Sequence, residues 1–296
     1  LGKLSKIVLI VVSENGKKVL FKVKDHSVSG EEFHLLEHKK YGYLKTIPKP
    51  PLGKLGEYYQ TEDYISHTDS RRNLFEMVYH AIRKVSLKRK LNLINSFELE
   101  GKTLLDFGSG TGDFLKTVQS NGWNVSGIEP NEAARGIANS KTNGSVFESK
   151  QLNTFEKKSF DVITLWHVLE HVPDLEEKIA VLKSLLKPNG VLLIAVPNYK
   201  SYDAEHYKQY WAAYDVPRHL WHFDQKSISN LFYSISMSVK KTIPMVFDSY
   251  YVSLLSEKYK SGGLTIFRAF RIGFVSNRKA KASGEYSSLI YVLKNS

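Results

Sequence analysis

Leu104-Leu105-Asp106-Phe107-Gly108-Ser109-Gly110-Thr111-Gly112-Asp113-Phe114 is the stretch on which the fold turns. A short apolar run enters three alternating glycines, and a helix-forming segment follows. Glycines at alternate positions let the backbone turn sharply and approach a ligand without interference from Cβ. The helix beyond them presents free N–H groups and a partial positive charge, which suit a phosphate or a carboxylate. Next comes Val125-Ser126-Gly127-Ile128-Glu129-Pro130. It predicts a second strand ending in Glu129, an acid placed to accept both hydroxyls of a ribose.

Working outward, the same alternation continues. Strands are predicted at Lys102–Phe107, Asn124–Ile128, Ser145–Glu148, Phe160–Leu165 and Gly190–Val196, with helices at Asp113–Ser120, Glu132–Ser140 and Leu175–Leu186. Strand and helix in turn imply an α/β fold, a parallel sheet with helices on both faces and right-handed crossovers.

Two adenosine ligands compete for such a loop. A dinucleotide site favours G-x-G-x-x-G, whose last small residue packs helix on strand. Here the spacing is G-x-G-x-G, and Asp113 takes the place of that last glycine. Asp106 also precedes the first glycine. An acid there would repel a phosphate but attract the ammonium of a methionine moiety. S-adenosylmethionine (SAM) is therefore the expected cofactor, with S-adenosylhomocysteine as product, and a nicotinamide oxidoreductase is the weaker reading.

These residues resemble the class I SAM-dependent methyltransferases. Asp106 to Gly112 is similar to their first motif and Glu129 to their ribose-binding acid. Phe160 to Val172 resembles their fourth-strand motif, and Leu186 to Ile194 the start of their fifth strand. The resemblance is close over residues 101–198. It implies a Rossmann-like, seven-stranded mixed sheet whose last strand is antiparallel, with Ser238–Val246 and Ser287–Lys294 as the final two strands. It also implies cofactor contacts from Asp106, Gly108, Ser109, Gly110, Gly112 and Glu129, with Trp166 and His167 beside the methionine end and Pro130 and Leu152 bordering the adenine. The Pro217-Arg218-His219-Leu220 segment resembles bacterial methyltransferases of small-molecule and envelope-sugar pathways. Many such relatives carry a Cys-x-x-Cys zinc knuckle before the catalytic domain. Here His38 and Tyr41 hold that spacing, and a chain without cysteine has only a degenerate version of it.

Candidate bases must lie past the fourth and fifth strands, at the carboxyl edge of the sheet. His167, Glu170 and His171 share one helical face there. In some relatives residues at these spacings hold a divalent metal; here the group reads as a brace for the loop, and no metal is expected. The second group follows the fifth strand, where Tyr199, Tyr202, His206, Tyr207, Tyr210, Trp211 and Tyr214 lead to Arg218, His219 and His222. Two readings stay open: a substrate lid with aromatic walls and Arg218 on an acidic group, or a locally folded aromatic cluster. The expected catalytic set is His167, His219, Arg218 and His171. The acceptor is expected between His167–His171 and Tyr207–His222, beneath Tyr58–His67.

The 296 residues carry a net charge of +12 and no cysteine, which excludes disulfides and thiolate metal sites. Residues 101–200 are neutral, whereas both flanks are basic. A small-molecule acceptor is the leading reading. RNA or DNA, which such flanks would suit, is the rival acceptor, although no nucleic-acid module accompanies them, and a SAM-binding domain without turnover is the third reading. The apolar run Ile7–Val12 is too short to span a bilayer and predicts a hairpin with Val19–Val23 across Asn15-Gly16. With no transmembrane segment the protein is expected in the cytoplasm. Three parts are expected: an accessory segment at 1–56 ending in a Pro-rich linker over Thr46–Gly53, a Tyr-rich segment and helix at 57–100, and the methyltransferase domain at 101–296 with its insertion at about 199–225. The helix carries an apolar stripe of Leu74, Met77, Val78, Ala81, Ile82 and Val85 and a basic run to Lys90 that reads as a solvated face. Near the end, Ile266, Phe267, Phe270 and Phe274 alternate with Arg268 and Arg271. This segment is expected to pack on the catalytic domain, with a peripheral membrane contact as the alternative.

Overall fold

The computed structural model describes residues 19–59, 74–263 and 265–296. The first half of the expected hairpin, Tyr64 and His67 of the Tyr-rich segment, and the side chains of Leu74, Met77, Val78 and Ala81 lie outside the described residues. The chain divides into two compact units.

One unit takes residues 66–196, 232–244 and 289–296. Its strands are β4 (Thr103–Phe107), β5 (Asn124–Ile128), β6 (Val146–Phe147), β7 (Phe160–Trp166), β8 (Leu186–Pro197), β10 (Met237–Pro244) and β11 (Ser288–Asn295). They form one seven-stranded sheet in the order β10-β11-β8-β7-β4-β5-β6. The β4, β5, β6, β7 and β8 pairings are parallel, and β10 runs antiparallel to β11. This is the doubly wound arrangement that the alternating pattern calls for. Its helices are α1 (Leu74–Asn95), α2 (Asp113–Gln119), α3 (Glu132–Thr142) and α4 (Leu175–Leu185). Strand β7 is buried along its length up to Trp166, as a central parallel strand must be. At the amino edge, Asp161 accepts from the Thr103 hydroxyl at 2.6 Å and from Lys187 Nζ at 2.9 Å. Burial would raise its pKa, but these donors outweigh it and hold the carboxyl below its ordinary value. The pair ties the starts of β4, β7 and β8 together.

Helix α1 differs from its expected facing. Ile82 and Val85 are exposed, whereas Leu87, Leu91 and fully buried Ile94 meet the sheet core. The helix runs ten residues past the expected stripe, and its second half supplies the apolar face at i, i+4 and i+7.

The other unit takes residues 1–65, 197–231 and 245–288. Strands β1 (Val19–Lys24), β2 (Glu32–Glu37), β3 (Leu44–Ile47) and β9 (Trp221–His222) form an antiparallel sheet in that order. Helices α5 (Tyr202–Tyr207), α7 (Asp248–Ser261) and α8 (Ile266–Ser283) complete it, and α6 (Gln225–Tyr233) follows β9. The expected linker is therefore partly sheet. Thr46 and Ile47 belong to β3, and buried Thr46 donates to the His219 carbonyl at 2.7 Å. The insertion after β8 likewise differs from a lid. Tyr207, Trp211 and Tyr214 are buried in one core with Val23, Phe33, Leu35 and Leu44. Of the two readings of those aromatics, the folded cluster is the one the packing matches. Residues 199–225 belong with the N-terminal strands rather than forming an appendage of the seven-stranded sheet.

The turn at the zinc-knuckle position is closed without cysteine. His38 stacks on Tyr43 at 4.5 Å between ring centroids and on Tyr41 at 5.3 Å, and the Gly42 N–H donates to the His38 carbonyl.

Candidate functional site

Strand β4 delivers Asp106 to the carboxyl edge of the sheet, and the glycine loop follows at once. Gly108, Gly110 and Gly112 all have positive φ. The N–H groups of Gly108 and Ser109 donate to the Ile128 carbonyl, which pins the loop to the end of β5. The three glycines serve different ends. A Cβ on Gly108 would strike Val168 at 2.4 Å, and one on Gly112 would strike the Ala138 backbone at 2.8 Å. At Gly110 a Cβ would meet nothing within 4 Å among the described residues. Two of the glycines thus allow close packing, and the middle one is open to a ligand as far as the described residues go.

Two buried acids belong to this turn, Asp106 before its first glycine and Glu129 at the Gly110 N–H. Asp106 accepts from the Thr164 hydroxyl at 2.6 Å. Burial pushes its pKa up to about 7, against the Thr164 bond and the charge of Lys90 and with a further push from Glu129. Glu129 ends β5 as expected. Its Oε2 accepts from the Gly110 N–H at 2.8 Å and its Oε1 from the Asn131 N–H at 2.9 Å. Burial raises its pKa too, opposed by those two N–H groups and Arg135. Each carboxylate oxygen has a second lone pair for a hydroxyl donor.

Trp166 closes β7, and its ring meets Phe114 edge-on at 5.5 Å. The Lys90 ammonium sits over the Trp166 ring, 4.2 Å from its centroid. Lys90 is the site residue that the sequence reading passed over. It lies in the basic run taken as a solvated face, yet falls between Leu87 and Leu91 on the core-facing side of α1. A lysine on an apolar stripe was the available signal.

His167 follows with φ +56, an uncommon conformation for a residue with a Cβ. Its N–H donates to the Ala195 carbonyl at 2.9 Å, which holds the turn at the end of β7 against β8. Its Nδ1 lies 3.4 Å from Oε1 of buried Glu170. His171 ends the same one-turn helix, Leu169–His171. A half-exposed imidazole is thus held in a strained loop beside the glycine turn, where strain is tolerated for a purpose.

The remaining expected residues are placed differently. Pro130 is exposed after Glu129, and its carbonyl accepts from Arg135. Leu152 is wholly buried, so it packs in the interior rather than offering surface to an adenine. Arg218 and His219 belong to the unit with the antiparallel sheet. The Arg218 guanidinium forks onto Asp215 and donates to the Tyr58 carbonyl at 3.2 Å. Burial works against its charge, but Asp215 prevails and holds its pKa above the ordinary value. The His219 ring is buried, with Nδ1 2.9 Å from the Ala213 carbonyl. His222 bonds Thr46 at 3.0 Å through Nε2, and burial takes its pKa well below ordinary.

The residues present fit SAM. Ser109 Oγ and Trp166 Nε1 are buried without a hydrogen-bond partner among the described residues. Two acids raised by burial would be relieved by a ligand that brings a cation and hydroxyl donors. Lys90 over Trp166 is a stand-in for that cation within the chain itself.

The chain resembles known proteins over its central part. The chain is 34% identical over 113 residues to the ubiquinone biosynthesis O-methyltransferase of Paraburkholderia phymatum, covering 35% of this chain and 49% of that protein. The protein of that name from Coxiella burnetii is 31% identical over 136 residues, covering 42% and 55%. The chain thus spans about half the length of the curated relatives it matches. Among solved structures, magnesium protoporphyrin IX methyltransferase from Synechocystis PCC 6803, with bound SAH, shares the fold. Its TM-score is 0.53 at 16% identity, covering 81% of this chain and 97% of that one. The family profile described as a methyltransferase domain matches residues 79–234, more than half of the sequence, and the chain belongs to that family.

Proposed function

We propose that this chain is a SAM-dependent methyltransferase acting on a small-molecule acceptor. The observation that carries the reading is the pair of buried acids, Asp106 just before the glycine loop and Glu129 bonded to the Gly110 N–H within it. When bound, SAM supplies an activated methyl group on a sulfonium. What remains for the protein is position and, for an oxygen or nitrogen acceptor, a base. Glu129 takes the ribose hydroxyls, Asp106 takes the methionine ammonium directly or through water, and the Ser109 hydroxyl donates to the carboxylate. Trp166 lies under the methionine end. His167, at the end of β7, is the first candidate to remove the acceptor proton, because an imidazole titrates near neutral pH. His219 is the second. The names of the relatives, ubiquinone biosynthesis O-methyltransferases, favour a small-molecule acceptor over nucleic acid, and the neutral charge of residues 101–200 is in keeping with that.

Calorimetry of SAM binding across pH tests the cofactor site. Only the ionised Asp106 attracts the ammonium, and its pKa in the free protein is about 7. Binding favours the ionised form, so affinity falls as pH drops below that value. From pH 7.5 to 5.5 the loss should be about tenfold or more. Asp106→Asn should bind weakly at both values. A flat profile in the unaltered protein would remove Asp106 from the site.

For the acceptor side, His167→Ala should lower turnover while SAM affinity stays nearly constant. His167→Gly should do the same and also melt higher, since glycine relieves a positive φ whose strain is worth about 1 kcal/mol. His219→Ala, assayed alongside, ranks the two histidines. Normal turnover in both alanine variants would place the base elsewhere.

A further inference from the structure

Helix α8 carries five basic residues and no acid across Ile266–Ser283. Two of its faces are distinct. Ala269, Ile272, Gly273, Ser276 and Ala280 are buried. They hold the helix firmly: a Cβ on Gly273 would lie 2.9 Å from the Tyr250 backbone of α7, and Ser276 donates to buried Asp203 at 2.6 Å. A second face holds Ile266, Phe267, Phe270 and Phe274, which are 56%, 95%, 52% and 57% exposed. At about 100° per residue these four fall within an arc of about 100°. Exposed Arg271 and Arg278 border that arc, and Lys281 lies over it one turn further on. The expectation of packing is thus met by one face only, and that face leaves the phenylalanines outside.

Four large apolar side chains on a helix that cannot rotate to bury them form a surface made to be covered. We propose that this face docks on an anionic lipid bilayer, with the helix lying in the plane of the interface. The phenylalanines would enter the boundary of the acyl chains, and Arg271, Arg278 and Lys281 would meet lipid phosphates. Charge complementarity selects this occupant. A second copy of a chain with net charge +12 would bring basic residues against basic residues. A nucleic-acid backbone would satisfy the arginines but leave four apolar side chains against phosphate. Among the described residues no helix is long and apolar enough to cross a membrane, so the contact proposed is peripheral.

Flotation of the full chain through a density gradient tests this, using vesicles of phosphatidylcholine alone or with about one-third phosphatidylglycerol. The protein should rise with the anionic vesicles and stay behind with the neutral ones. Phe267→Asp combined with Phe274→Asp should cut vesicle binding about tenfold or more. Both side chains are exposed, so the melting temperature should hold. Arg271→Ala with Arg278→Ala should weaken binding to the anionic vesicles with the phenylalanines intact. The proposal is overturned if the chain does not float with anionic vesicles, or if the double aspartate variant floats as well as its parent. It is equally overturned if sedimentation finds a dimer that the aspartates dissolve while vesicles go unbound, since the occupant is then a second copy.

Discussion

Glu129→Ala should weaken SAM binding by about a hundredfold or more, the largest loss from any single side chain in the cofactor site. Two ribose hydroxyls donating to one buried carboxylate make two charge-assisted hydrogen bonds of about 1.5–3 kcal/mol each, and each 1.4 kcal/mol is tenfold in affinity. The carboxylate also organises the empty loop, since it accepts from the N–H groups of Gly110 and Asn131. Alanine therefore removes the ligand contact and loosens the loop that would hold it. Glu129→Gln is the intermediate case, because its NH2 would face one of the two loop N–H groups that the carboxylate accepts. The amide keeps the size and one acceptor oxygen, and its loss should be smaller. Calorimetry with SAM, with melting curves to establish that each variant is folded, reads both. Unchanged affinity in a folded alanine variant would sink the ribose assignment.

Gly112→Val should be the most damaging substitution for the fold. Gly112 caps α2 with φ 79 and ψ 10, a conformation that a β-branched residue resists. Its Cβ would also sit 2.8 Å from both Cα and Cβ of Ala138, which is fully buried in α3. Backbone cannot yield there as a flexible side chain would. Strain and overpacking together should cost about 3–5 kcal/mol, and a shift on the order of 10 °C in melting temperature follows. Gly110→Ala is the counterpart. Its Cβ has open space, so it should melt within a few degrees of the parent yet bind SAM poorly. If Gly112→Val melts like the parent, the loop is looser than its packing indicates. If Gly110→Ala binds normally, the open face of the loop is not where the cofactor lies.

The parts of this protein that could be read from sequence are those whose signals are local. The β4 strand, its glycines, α2 and β5 with Glu129 announce themselves within thirty residues, because turn conformation and strand period are properties of neighbours. The same holds for β7, whose apolar run ends at Trp166-His167. Features that depend on distant partners stayed hidden. Nothing in Tyr207, Trp211 and Tyr214 distinguishes a ligand wall from a core, because their burial is decided by Val23, Phe33 and Leu44, far back in the chain. Arg218 looks like an anion receptor until Asp215 and the Tyr58 carbonyl are seen to occupy its donors. Leu152 is suggested only by analogy of position, and its complete burial is set by neighbours that the local sequence does not reveal. The facing of α1 was misjudged for a different reason. A stripe can be recognised wherever it starts, but only the sheet decides which half of a long helix it covers.

The pairing of β3 with β9 sets an order of events for the newborn chain. Leu44 partners His222, and Thr46 bonds His222 at a sequence separation of 176. Closing so long a loop is slow compared with forming a strand–helix–strand unit from adjacent segments. As synthesis proceeds, β4 to β8 can therefore assemble while β1, β2 and β3 wait with an open sheet edge for a strand not yet made. An unsatisfied edge is a ready template for another molecule. The vulnerable interval in the life of this protein is the time between emergence of Leu44 and of His222 from the ribosome. Truncations that end between them should aggregate through the open β3 edge, whereas those that end just beyond His222 close that edge and leave only β8 waiting for β11.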